Sequence, residues 1–329
     1  MSKDMKTVLV TGAGGFIGRN LVSALLRDKN YELILTDKNG PRDHFSEVNE
    51  TKSHPITFYN LDITNRQAAF DVFKNHKIDA CVHLAALINV EDSIKYPNRT
   101  MNVNVNGTIN ILDSCSKNDV DNFVFASSAA VYGHPMKMPI TEKHQLKPIS
   151  PYGVSKLLAE KHVSSHMNSK KIRNTISLRI FNVYGDTQLD NVSVITKFAK
   201  RLSMGLAPVI HGTGSQKRDF VSINDVVSAI LLSIKAMEGG SDRVESESPL
   251  IFNIGTGVAT SIKDLCQQMI SLSGLDLKPS YKEGNEEVDI NASCADITKA
   301  KKFLNFFPKT NLSVDLERII SSTATTQIK

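Results

Sequence analysis

The chain has 329 residues, 41% of them apolar and 22% charged, enough for one large domain or two interleaved ones at roughly 100–200 residues each. Lys and Arg exceed Asp and Glu by 39 − 34 = 5, acids are interspersed among the bases, and tryptophan is absent. This pattern excludes a nucleic-acid stripe and a base-stacking surface.

In chain order, KTVLVT at 6–11 reads as a strand, and Phe16, Ile17, Leu21, Ala24 and Leu25 form a helical stripe after it. ELILTD at 32–37, ITFYNLD at 56–62 and DACVHLA at 79–85 are the next strands. Val103, Ile109, Ile111 and Leu112 mark another helix before the strands NFVFASS at 122–128 and NTISLRI at 174–180. Several strands are apolar at consecutive positions, the mark of burial on both faces. Strand and helix in alternation predict an α/β fold with a parallel, doubly wound sheet.

Beyond 182 the rhythm loosens. Helical stripes at 192–204, 223–237, 261–273 and 312–320 accompany short strands near 208–210 and 250–254. Glu238 to Ser248 reads as a surface loop and the tail from Ser321 as frayed. The predicted division is residues 1–181 and 182–329, with some interleaving.

Cys81, Cys115, Cys266 and Cys294 are 34, 151 and 28 residues apart, so neither a disulfide framework nor a metal site is expected. The first fifteen residues carry Lys3, Asp4 and Lys6 and then a glycine turn, with no secretory apolar stretch. No apolar run reaches the roughly 20 residues of a membrane helix. The expectation is a soluble, cytoplasmic protein that engages neither membrane nor nucleic acid.

The first predicted strand runs into Thr11-Gly12-Ala13-Gly14-Gly15-Phe16-Ile17-Gly18. Glycines allow a tight turn and close approach to a pyrophosphate, and the following helix directs its N–H groups at that anion. Asp37 stands nineteen residues after Gly18, at the end of the second strand. A carboxylate there binds ribose hydroxyls and repels a 2′-phosphate, which favours NAD over NADP despite the adjacent Lys38.

Tyr152 and Lys156 are four residues apart in Pro151-Tyr152-Gly153-Val154-Ser155-Lys156, where Ser150 can cap a helix and Pro151 suits its first turn. Both side chains then share a face, and an ammonium beside a positive nicotinamide ring would favour the phenolate. Tyr and Lys at this spacing are common on ordinary helices. What singles the pair out is Ser127-Ser128-Ala129-Ala130, presented where a parallel sheet binds its ligands.

With these pieces in order, the chain resembles the extended short-chain dehydrogenase/reductase family, and within it the nucleotide-sugar epimerases of the UDP-glucose 4-epimerase type. The resemblance implies a Rossmann-type NAD-binding domain followed by a smaller α/β domain for the nucleotide sugar, assembled as a homodimer through helices at 98–118 and 151–169. It rests also on Leu61-Asp62-Ile63, His83-Leu84-Ala85-Ala86, Asn104-Val105-Asn106-Gly107-Thr108, Phe181-Asn182-Val183-Tyr184-Gly185 and Lys217-Arg218-Asp219-Phe220. By this likeness Tyr152 is the base, Lys156 holds the nicotinamide ribose, and Ser128 bridges to the sugar. Asp62, Ile63, Leu84, Ala85, Ala86, Asn104 and Ser127 join the glycine turn and Asp37 as cofactor contacts. Asn182, Arg218 and Ser293 join Ser128 and Tyr152 as substrate contacts. A small residue at 293, three before Asp296, is implied to admit an N-acetylated hexosamine where a tyrosine would block it.

The chain also departs from the family pattern. Ile88 stands where some epimerases carry a lysine, and Glu286 where a second diphosphate-binding arginine is usual, with Lys282 as the candidate substitute. The implied activity is NAD-dependent epimerisation at C4 through a 4-keto sugar. A dehydrogenase or ketoreductase would use the same triad. A dehydratase fits less well, because Ala129-Ala130 replace the acids that would protonate departing water. A non-catalytic nucleotide-binding protein fits least, given the intact triad.

Overall fold

The computed structural model describes residues 5–28, 30–40, 55–186, 193–238, 250–283 and 290–326. Its first half alternates as expected: β1 (Lys6–Thr11), α1 (Phe16–Arg27), β2 (Tyr31–Asp37), β3 (Ile56–Asn60), α2 (Arg66–Lys74) and β4 (Ala80–His83). Short helices α3 (Val90–Lys95) and α4 (Pro97–Met101) lead through a π turn at Asn102–Gly107 into α5 (Thr108–Lys117). Then come β5 (Asn122–Ser128), α6 (Pro151–Asn168) and β6 (Asn174–Ile180). The third and fourth strands are shorter than predicted, because residues 61–63 and 84–86 leave the sheet at its ligand-binding end.

The second half comprises β7 (Asn182–Tyr184), α7 (Val194–Ser203), β8 (Val209–His211), β9 (Lys217–Ser222) and α8 (Ile223–Glu238). It continues with β10 (Leu250–Ile254), β11 (Ala259–Ser261), α9 (Ile262–Ser273), β12 (Ser280–Lys282), α10 (Thr298–Leu304) and α11 (Leu312–Thr326). Helix α11 thus runs past Ser321, where fraying was expected. The predicted loop after Glu238 lies outside the described residues.

Seven parallel strands form one sheet in the order β10-β6-β5-β4-β1-β2-β3. Alternate residues of each strand enter different cores, as the period of two requires. Val8, Val10, Leu33, Val82 and Val124 pack with α1 and α8. Leu9, Ile34, Cys81, Phe123 and Phe125 pack on the opposite face with α2, α5 and α6. The chain crosses back after 181, since α8 covers the first face and β10 completes the sheet beside β6. What remains apart is smaller: sheets β11-β9-β7 and β12-β8 around Tyr184, Phe198, Ile210, Phe220, Leu265 and Met269.

Ile111, Leu112, Ala159 and Val163 of α5 and α6 are spent on the core, whereas Ile109, Val154 and Leu158 are only half-buried. Their exposed neighbours Asn102, Asn106, Lys161 and Ser165 are polar. Cys81, Cys115, Cys266 and Cys294 are free thiols. Among the described residues no helix is long and apolar enough to cross a membrane.

Candidate active site

The glycine turn closes on the ends of β1, β2 and β4. Gly12 has φ +69°, and a Cβ there would lie 2.7 Å from the Ala85 nitrogen. A Cβ on Gly18 would run into the Gly12 carbonyl, so α1 can pack against the turn only without one. Gly15 caps α1 without a side chain, leaving the first-turn N–H groups available to an anion. Asp37 Oδ2 accepts the Gly14 N–H at 3.0 Å and its Oδ1 accepts the Asn39 N–H at 3.0 Å, so the carboxylate is held under the turn with lone pairs to spare for ribose.

Lys38, a cation beside the ribose-binding carboxylate, reaches Asp62 at 2.6 Å rather than standing free for a 2′-phosphate. That hydrogen bond, with those from Thr64, lowers the Asp62 carboxyl to about 2. These features fit a dinucleotide whose adenosine ribose is unphosphorylated. NAD is expected to bind more tightly than NADP by about tenfold or more, and Asp37→Ala to narrow the gap. Equal affinities of the intact protein in titration calorimetry would overturn this.

A buried polar chain links the cradle to α6, which carries Tyr152 and Lys156. His83 Nδ1 lies 2.7 Å from Thr11 Oγ1 and Nε2 lies 3.0 Å from Thr108 Oγ1, while burial and the charge of Lys156 push its pKa down to about 3. The ring is therefore neutral. Thr108 donates to the Asn104 carbonyl at 2.6 Å. The Asn104 side chain grips both backbone groups of Leu87 and donates to Ser155 Oγ at 2.9 Å. The π turn places this asparagine, and such turns recur at functional sites.

Ser150 starts α6 by accepting the Gly153 N–H at 3.1 Å, and Pro151 occupies the first turn. The Ser128 hydroxyl lies near the Tyr152 phenol and acts to lower its pKa. Burial raises the phenol above its ordinary pKa, and the nearby Ser128 hydroxyl opposes that only in part. The expected downward pull from Lys156 is therefore not supplied by the protein alone. Lys156, 4% exposed, donates to the Ala126 carbonyl at 2.8 Å and lies 5.1 Å from the Phe125 ring centroid. Burial pushes this ammonium down to about 8.

A cavity of about 690 Å³ opens among α3, β7, α7, β8 and β9, bordered by Glu91, Asn182, Lys200, His211, Arg218 and Phe220, among others. Ile180 pairs with Ser128 in the sheet, so Asn182 emerges two residues beyond the neighbour of Ser128. Arg218 donates to the Lys217 and Ile290 carbonyls at the cavity's edge. Ser293 is buried beside β9, its N–H given to the Lys217 carbonyl at 3.0 Å, so it does not face bulk solvent. Lys282 pairs with His211 across β12 and β8, whereas Glu286 lies outside the described residues.

Three predicted cofactor contacts have side chains turned elsewhere. Ile63 is core, packed where Gly107 leaves space for it. Asn104 is spent on Leu87 and Ser155. Ser127, adjacent to Ser128 on a strand, must face the opposite side, and it donates to Glu160 at 2.7 Å. By contrast Leu84, Ala85 and Ala86 are partly exposed beside the turn, with the Leu84 and Ala85 N–H groups held by Thr11 Oγ1. Phe16 lies partly buried near Gly185, and Ile17 is also partly buried.

Residue patterns missed several supports. Glu160 pairs with Arg179 at 2.5 Å, and Arg179 also donates to Tyr132. Asp219 accepts the N–H groups of Thr256, Gly257 and Ala295. Both Arg179 and Asp219 stand inside motifs already singled out, but nothing local indicates what they bind. Among the described residues no cluster of His, Cys, Asp and Glu could hold a metal ion.

A model of the NAD-dependent epimerase/dehydratase family matches residues 8–255. A putative UDP-glucose 4-epimerase of Methanocaldococcus jannaschii is 34% identical over 322 residues, covering 95% of this chain and 97% of that one. The UDP-glucose 4-epimerase of Thermotoga maritima, solved with UDP-glucose, superposes with TM-score 0.85 at 29% identity, covering 98% and 99% of the two chains. A UDP-N-acetylglucosamine 4-epimerase of Methanobrevibacter ruminantium, solved with UDP-N-acetylmuramic acid, gives TM-score 0.84 at 27% identity over 99% and 100%.

Proposed function

Because the chain belongs to the NAD-dependent epimerase/dehydratase family, within the extended short-chain dehydrogenases/reductases, we propose that it is a nucleotide-sugar 4-epimerase working through a 4-keto sugar. The observation that carries the reading is the placing of Ser128 at the end of β5, near Tyr152 and Lys156 on α6 and followed by Ala129 and Ala130. The site offers a phenol to move one proton but no carboxyl at 129 or 130 to protonate departing water, which disfavours dehydration.

NAD, when bound, supplies a two-electron acceptor restored within the turnover and a positive ring beside the phenol. Ser128 orients the C4 hydroxyl and Tyr152 takes its proton. Lys156, anchored on the Ala126 carbonyl, holds the nicotinamide ribose and favours the phenolate. Arg218 and Asn182 hold the diphosphate end while the keto sugar presents its other face. Tyr152 then returns the proton to the C4 oxygen.

The substrates in this reading are UDP-glucose and UDP-galactose together with their N-acetylhexosamine counterparts, because Ser293 is small and buried. Wild type is expected to epimerise UDP-N-acetylglucosamine as well as UDP-glucose, and Ser293→Tyr to cut only the acetamido turnover by about tenfold or more. Sugar analysis after incubation decides both points. An inert UDP-glucose sinks the reaction, and free NADH rising with turnover marks a dehydrogenase. Unchanged acetamido turnover in the variant removes the gate.

A homodimer paired through α4–α5 and α6 belongs to the same reading. Exposed Asn102, Asn106, Lys161 and Ser165, with half-buried Ile109, Val154 and Leu158, would give that interface a mixed polar and apolar character. Light scattering that finds a monomer at micromolar concentration overturns it.

A further inference from the structure

Electric charge is distributed unevenly around the substrate cavity. Lys197, Lys200, Arg201 and Arg218 border it from α7 and β9, and Glu91 is the one acidic side chain among the described residues that line it. Glu91 is held on the Tyr152 side. Asn89 caps α3 by accepting the Asp92 N–H at 3.0 Å. Ser93 donates to the Val90 carbonyl at 2.6 Å and accepts the Tyr152 N–H at 3.2 Å. Glu91 therefore sits between two anchored residues, one bonded directly to the backbone of the catalytic tyrosine. Among the described residues it forms no ion pair, and half-exposed Ile88 brings no cation to offset it.

A ligand entering this cavity meets four cations from α7 and β9 and one carboxylate from α3, the helix that packs against the start of α6. We propose that Glu91 is a charge filter for the sugar: it admits neutral hexoses and rejects nucleotide sugars whose hexose carries a carboxylate at C6. The physical basis is a like charge built against the wrong ligand, a device that sets specificity without adding a contact to the right one. The inference rests on the nucleotide-sugar reading above and assigns the sugar class within it.

The test titrates UDP-glucose and UDP-glucuronate into NAD-loaded wild type, Glu91→Gln and Glu91→Lys by calorimetry. The readout is the ratio of the two affinities, which cancels any loss common to both ligands. Wild type is expected to prefer UDP-glucose by about tenfold, Glu91→Gln by about threefold or less, and Glu91→Lys to reverse the order. Equal affinities in wild type, or a ratio unmoved in both variants, overturn the filter. UDP-glucose that binds without being epimerised overturns the reaction proposed above, whereas a moved ratio still supports the filter. Binding of neither nucleotide overturns both.

Discussion

Tyr152→Phe is expected to lower kcat by about 10²–10⁴-fold, the usual loss when a general base is removed, with NAD affinity unchanged. The variant keeps the ring and removes only the hydroxyl that lies near Ser128. It leaves the α6 cap at Ser150 and the polar chain through Asn104 and Ser155 intact, so the fold has no reason to change. Ser128 cannot take over as base, since its Oγ already accepts the Ala130 N–H at 3.2 Å and its ordinary acidity is far too weak. Burial holds the phenol above its usual pKa, so activity limited by this base rises with pH, and the residual activity of Tyr152→Phe lacks that limb. Single-turnover kinetics across pH decide the matter. More than a few per cent of the wild-type rate would move the proton transfer to another group.

The parts visible in the residues are those fixed by short-range chemistry. Consecutive apolar positions identified the strands of the parallel sheet, and the glycines at 12, 14, 15 and 18 announced a turn that the backbone needs for close approach. Ser150 and Pro151 marked the start of the helix carrying Tyr152 and Lys156. What stayed hidden depends on distant partners. His83 meets Thr11 across 72 residues, and Asp219 holds Ala295 across 76. Neighbouring serines at 127 and 128 look equivalent in sequence, yet the strand's period sends one to Glu160 and the other to Tyr152. The return of the chain through α8 and β10 was hidden for a related reason, since a short apolar strand carries no mark of which sheet it will join.

Lys156→Met is expected to abolish useful activity and at the same time to stabilise the NAD-free protein at neutral pH. The ammonium is 4% exposed, and its hydrogen bond runs to one carbonyl, that of Ala126. A buried cation without a carboxylate beside it is held at a cost, and here burial brings the pKa from 10.5 down to about 8. The difference corresponds to about 3 kcal/mol below pH 8, where the folded chain must keep a proton it holds poorly. Between about 8 and 10.5 the unfolded chain still carries the proton while the folded one has released it, so wild-type stability rises with pH across this window. Methionine fills a similar volume without a charge but forfeits the bond to Ala126, which leaves a net gain of about 1–3 kcal/mol at pH 7. The gap between variant and wild type should shrink as pH passes from 8 towards 10.5. Denaturant unfolding of both proteins at pH 7 and pH 10 measures it. A variant no more stable than wild type at pH 7 would show that the ammonium is well solvated where it stands, and that the strain assigned to this buried group is absent.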